Sequence, residues 1–239
     1  MSQLAEAGNG DFTHIESLES LDAVLREEFT AAAEVTARNV EVTVDLPERL
    51  SAGTNLNAYR QEPNGNGFKV FLGDLVRPKE FIFEVTTPVA VAGEDLTISA
   101  TASFKDESDK EVRVVAAATV AICEPDQVEQ HPIDEPIVAK VLAQLPALTE
   151  METVLAYEAG DIDATDLSVK LGRAAYERAL ETYLATGDMP EVAAGEAKLN
   201  ELDARTKAGS LSARDLKRRY GASRRASRSR RSDPDADAK

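Results

Sequence analysis

The stretch Asn39–Pro47, NVEVTVDLP, constrains the fold of this chain more than any other. Val40, Val42 and Val44 alternate with polar residues and Pro47 closes the run. Side chains on a strand point to opposite faces in turn, so this row buries one face and wets the other. A half-buried strand needs partners with the same alternation. The sequence supplies them at Asn55–Glu62 (weakly), Phe68–Leu72, Glu80–Thr86, Leu96–Phe104 and Val112–Cys123, with turn residues between them. Strands that follow one another without intervening helices predict an antiparallel sandwich or barrel. The segments PNGNG at 63–67 and KDESDKE at 105–111 read as hairpin loops. Asn64-Gly65-Asn66-Gly67 precedes a strand and not a helix, so it is not a phosphate-binding loop, which needs a helix N-terminus behind it.

The period changes after the polar linker EPDQVEQHPIDEP at 124–136. Ile137–Leu145 reads as a short helix that Pro146 ends or kinks. Thr149 and Glu152 match a capping box that opens a second helix, ended by Gly160. Asp161 or Asp163 opens the next, with Leu167, Leu171, Ala174, Ala175 and Leu180 as its buried face. Met189–Ala208 is a further helix with Leu199 and Leu202 inward, and Leu211–Tyr220 a last short one. Short loops between them predict antiparallel helical hairpins. The phrases AYEAGDIDATDL and TYLATGDMPEVAA hint at a tetratricopeptide-like pair, but no repeat period accompanies them.

Before the first strand, residues 17–36 form an amphipathic helix. Its stripe is Leu18, Leu21, Leu25 and Phe29, and Ser17 stands at the N-cap. Ahead of it lie a turn, Gly8-Asn9-Gly10-Asp11, and a short strand, Phe12–Ile15. One strand and one helix cannot close a core. Phe12, Ile15, Leu18, Leu21, Leu25 and Phe29 are therefore the candidate partner-binding residues.

Charge is unevenly spread over the 239 residues: positions 205–232 carry 11 Lys/Arg against one acid, and 1–204 carry 15 against 39 Asp/Glu. An acidic body repels nucleic acid, so nucleic acid is not the expected partner and any such role rests on the tail. The Arg/Ser-rich tail has the composition of a disordered segment. Its candidate residues for an acidic partner are Lys217, Arg218, Arg219, Arg224, Arg225, Arg228, Arg230 and Arg231. Three readings of it stay open: a solvated terminus, contact with an acidic surface of this chain or a partner, and phosphate binding. The lone Cys123 forms no internal disulfide, and no apolar run is long enough to span a bilayer. A cytoplasmic protein is expected, unless a longer parent chain carries a targeting signal. His14, His131 and Cys123 are too few and too scattered along the sequence to suggest a catalytic or metal cluster, so no catalytic, metal or cofactor residue is assigned.

The order of these elements resembles that of von Willebrand factor type A (VWA) proteins. QLAEAGNGDFTHIESLESLDAVLREEFTAAAEV, at the start of the chain, is similar to the final helix, strand and helix of that domain. NVEVTVDLP, FKVFLGDL and the segment 80–123 look like the sandwich that often follows. Ala159-Gly160-Asp161 and the run from Lys217 to Arg231 look like the family's helical tail. The resemblance implies the C-terminal portion of such a protein. The Asp-x-Ser-x-Ser motif of the family's divalent-cation site does not occur in this chain.

The expected fold is α+β and multi-domain: an α/β remnant at 1–36, a β-sandwich at 37–124, a linker at 125–136, a helical hairpin region at 137–221 and a disordered tail at 222–239. The expected function is a non-enzymatic protein-interaction or scaffold module, with the N-terminal VWA half as one candidate partner. A nucleic-acid- or acidic-partner-associated protein acting through its tail is the alternative. An enzyme with an unrecognised site is a further alternative. On the electrostatic readings of the tail, deleting 217–232 weakens partner binding, and that binding fades as salt rises. Binding that is independent of salt and survives the deletion contradicts those readings.

Overall fold

The computed structural model describes residues 21–22, 25–26, 34–57, 59–76, 78–87, 91–124, 127, 133–183, 189–209 and 218–223. The Phe12–Ile15 strand and most of the helix that follows it lie outside these residues. Leu21, Asp22, Leu25 and Arg26 are helical, whereas Glu34–Thr36 are not. The helix expected to reach residue 36 therefore ends earlier. Thr36 already belongs to the sheet region, its amide and its hydroxyl both donating to the Leu75 carbonyl (2.8 and 3.1 Å).

The strands are β1 (Ala37–Asp45), β2 (Ser51–Asn55), β3 (Arg60–Asn64), β4 (Gly67–Leu75), β5 (Phe83–Thr86), β6 (Asp95–Lys105) and β7 (Glu111–Ala121). They form a five-stranded antiparallel sheet in the order β3-β4-β1-β6-β7 and a two-stranded sheet, β2-β5. The Asn55–Glu62 stretch is not one strand. It divides where Asn57 is buried and its side-chain oxygen accepts from the Ile82 amide. The strand expected over Glu80–Thr86 is shorter, at Phe83–Thr86.

Both predicted hairpins are present. Gly65 takes a positive φ of 59° in the turn between β3 and β4. The neighbouring Asn66 amide group donates to the carbonyls of Leu46, Pro47 and Leu50, tying this turn to the β1–β2 connection. Between β6 and β7, the Asp106 side chain accepts from the amides of Ser108 and Lys110. A bulge at Asn39 (φ 52°) shifts the β1 register against both neighbours.

The alternation in β1 sets the faces of the whole sheet. Val42 stands opposite Val70 of β4 and Ala102 of β6, and Val44 opposite Phe68 and Ala100. These residues line one inner face, onto which β5 brings Phe83, its ring 4.9 Å from that of Phe68. The outer face is polar: Lys69 pairs with Glu41 at 2.9 Å and Arg60 lies over the Phe71 ring.

The helical region contains α1 (Glu135–Glu158), α2 (Ile162–Thr182) and α3 (Pro190–Lys207). Asp134 caps α1 and Asp161 caps α2, their carboxylates accepting from Ile137 and Ala164. Two expectations are corrected here. α1 runs unbroken through Pro146. Thr149 and Glu152 therefore do not open a new helix: the Thr149 hydroxyl donates back to the Leu145 carbonyl at 2.9 Å, and Thr153 does likewise to Thr149.

The buried face of α2 also differs from expectation. It is Thr165, Val169, Tyr176 and Ala179, whereas Leu167, Leu171, Ala174 and Ala175 are exposed and Leu180 packs only at the edge. The cause lies at glycines. A Cβ at Gly172 would come within 2.1 Å of the Thr149 side chain, and one at Gly195 of α3 within 2.2 Å of the Tyr176 hydroxyl. The helices close on the seam where they approach most nearly, and the leucines are left outside. Leu199 and Leu202 are inward on α3, as expected.

Tyr176 is the centre of this seam. It is buried, and its hydroxyl donates to the carbonyls of Glu191 and Val192, each at 3.1 Å. Burial, with Glu196 and Glu191 nearby, pushes its phenol up to about 12 from 10.0. Between these values the unfolded phenol loses its proton while the folded one keeps it. That part of the stability is intact below the lower value and is lost as pH rises through the window. Urea midpoints measured across this window are expected to fall with rising pH, and Tyr176→Phe to flatten the fall. At neutral pH the same variant is expected to cost about 1 kcal/mol.

Candidate interaction surfaces

The inner face of the large sheet is only half covered. On β6 it continues as Leu96, Ile98, Ala100, Ala102 and Phe104, which stand opposite Val120, Ala118, Ala116, Val114 and Val112 of β7. Directly opposed residues of an antiparallel pair share a face, so the β7 row extends the apolar inner surface. The small sheet does not shield it: Val114 is 52% and Val120 47% exposed. On the other face Val115 is 65% exposed. β7 is also an edge strand of eleven residues, with Glu111 and Arg113 its only charges and no proline.

The opposite edge is built differently. β3 has only five residues and carries Arg60, Glu62 and Pro63. Charges, proline and short length are the features that keep an edge from pairing with another chain. β3 has them and most of β7 does not. Sequence reading placed the β7 strand correctly but did not single it out as a surface. The available signal was its run of small and β-branched residues on both faces.

Of the residues singled out near the start of the chain, Leu21 and Leu25 are described; Leu25 is exposed beside an Asp22–Arg26 ion pair at 2.8 Å. Phe12, Ile15, Leu18 and Phe29 lie outside the described residues, as do Lys217, Arg224, Arg225, Arg228, Arg230 and Arg231. His14 and His131 lie there too. Cys123 is half-buried just beyond β7. Among the described residues, no group of His, Cys, Asp and Glu is arranged to hold a metal ion. No helix among them is long and apolar enough to cross a membrane.

Arg218 and Arg219 lie in a helical segment at 218–223. Arg219 bridges two acids of the chain's own body, donating to Glu150 of α1 at 2.8 Å and to Glu201 of α3 at 2.5 Å. Glu150 is buried and also accepts from Lys198 at 3.0 Å and from the Ser223 hydroxyl. The bond to Arg219, with Arg205 close by, holds the Glu201 carboxyl below the usual carboxylate range. Thus one basic residue assigned to an acidic partner finds its acids in cis. The sequence signal for this was weak, because carboxylates are abundant throughout the body.

No protein-family model matches the chain, and no curated protein matches it in sequence. Solved structures do. The ArnB paralog VWA2 from Sulfolobus acidocaldarius is 18% identical, over 95% of this chain and 51% of that one, with a TM-score of 0.50. A von Willebrand factor type A protein from Catenulispora acidiphila is 14% identical, over 85% of this chain and 54% of that one, with a TM-score of 0.53. The chain spans about half the length of each. The chain shares its fold with part of each of these VWA proteins, as the sequence resemblance along the chain implied, and combines the expected antiparallel sheets with a helical region.

Removing Glu150 would leave Arg219 and Lys198 without their shared buried carboxylate. Glu150→Ala is expected to cost the helical region about 3 kcal/mol. Urea unfolding followed by helix ellipticity measures it, with Glu181→Ala, at an exposed position of α2, as the reference.

Proposed function

We propose that this chain is a non-enzymatic protein-interaction module, cytoplasmic in location, that binds a protein partner by strand addition at β7. The observation that carries this reading is the uncovered apolar surface of β7, on an edge that lacks the charges and proline of β3. An added strand would pair, through main-chain hydrogen bonds, with an edge that no strand among the described residues occupies. It would also bury Val114 and Val120 against the row that continues from β6. The favoured partner is a polypeptide with an extended segment of alternating apolar residues, because pairing along β7 and burial of Val114 and Val120 need both main-chain groups and an apolar face.

A photo-reactive residue at Ala116 in the full chain, expressed in its native cells, is expected to crosslink to one polypeptide. Purified, that polypeptide should bind the wild-type chain. It should bind a Val114→Lys/Val120→Lys chain on the order of tenfold or more weakly, because two cations would have to be desolvated at the contact. The substituted side chains are about half exposed in the free chain, so its own stability is expected to change by less than about 0.5 kcal/mol. Equal affinity for the two chains contradicts the reading.

A further inference from the structure

The segment at 218–223 is attached to the helical region in the manner of a bound peptide. Tyr220 is 2% exposed and packs with Met151, Val154 and Tyr157 of α1. One residue before it, Arg219 spans Glu150 and Glu201. Three residues after it, the Ser223 hydroxyl closes on Glu150 and meets the Lys198 ammonium at 3.3 Å. One aromatic anchor, one arginine and one hydroxyl face α1 and α3. Buried Tyr and Arg anchors surrounded by lesser contacts are the usual anatomy of an interface hot spot. The charges fit as well: the groove side offers Glu150 and Glu201 to a segment whose sequence is Arg218-Arg219-Tyr220-Gly221-Ala222-Ser223.

The segment is short, and residues 210–217 connect it to the end of α3. A short tether holds a docked segment at an effective concentration of the order of millimolar, so even a weak intrinsic affinity keeps the groove filled in cis. It also lets a competing segment enter when the resident one lets go. We infer that the α1–α3 groove is a receptor for a short helical peptide with an Arg-aromatic pair and a hydroxyl residue four positions after the arginine, and that residues 218–223 occupy it as an intramolecular strap.

The test uses the full chain and a synthetic peptide of residues 216–226, LKRRYGASRRA. The wild-type groove is filled, so wild type should bind the added peptide weakly. An Arg219→Glu/Tyr220→Ala chain has a disabled strap and an intact groove. It should bind the peptide on the order of tenfold or more tightly than wild type does. A peptide carrying the same two substitutions keeps most of its arginines and should bind neither chain, which separates the groove from general attraction to an acidic body. Hydrogen exchange at 218–223 in the unmodified chain gives an independent reading: slow exchange supports the strap. Exchange at the rate of an unstructured peptide overturns it. Equal peptide binding by the two chains overturns occupancy in cis, and binding by neither overturns the receptor.

Discussion

The β region depends on a single constraint: β1 is hydrogen-bonded on both edges, so its alternation dictates the faces of its neighbours. Once Val42 and Val44 point inward, Val70 and Phe68 on one side and Ala102 and Ala100 on the other must do so too. A slip by one residue would turn every inward side chain to solvent. The bulge at Asn39 marks where this strict pairing gives way. The same rule carries the apolar row onto β7, beyond the reach of the small sheet. The exposed valines there are therefore the continuation of a core whose second layer is narrower than its first.

The helical region solves its packing by another route. Its close contacts are made where a side chain is missing, at Gly172 and Gly195, and Thr149 and Tyr176 fill the spaces these leave. Close approach of α2 to α1 and α3 decides which face of α2 is buried, and it overrides the count of leucines. The acidic residues of this region divide in the same way. Most are solvated, while Glu150 is buried and gathers two cations and a hydroxyl.

Features governed by local chemistry were legible in the sequence. The alternation of β1 and β6, the Gly65 and Asp106 turns, the Asp161 cap and the stop at Gly160 follow from residues that act on their own neighbours. Features decided at a distance were not. Asn57 looks like part of a strand until Ile82 is brought against it. Pro146 looks like a stop, yet α1 continues because its flanks pack on α2 and α3. Thr149 looks like a cap until Leu145 lies one turn before it. Arg219 belonged by composition to the basic tail, and only the fold shows which carboxylates it meets.

The unbroken α1 has a mechanical consequence. Near its start Lys140 pairs with Glu80, in the segment leading to β5, at 2.7 Å. Ten residues on, about 15 Å along the axis, Glu150 grips Arg219. A helix broken at Pro146 would let these two attachments move apart independently. A continuous helix instead fixes the distance along its axis between the residue that meets Glu80 and the residue that holds the C-terminal segment.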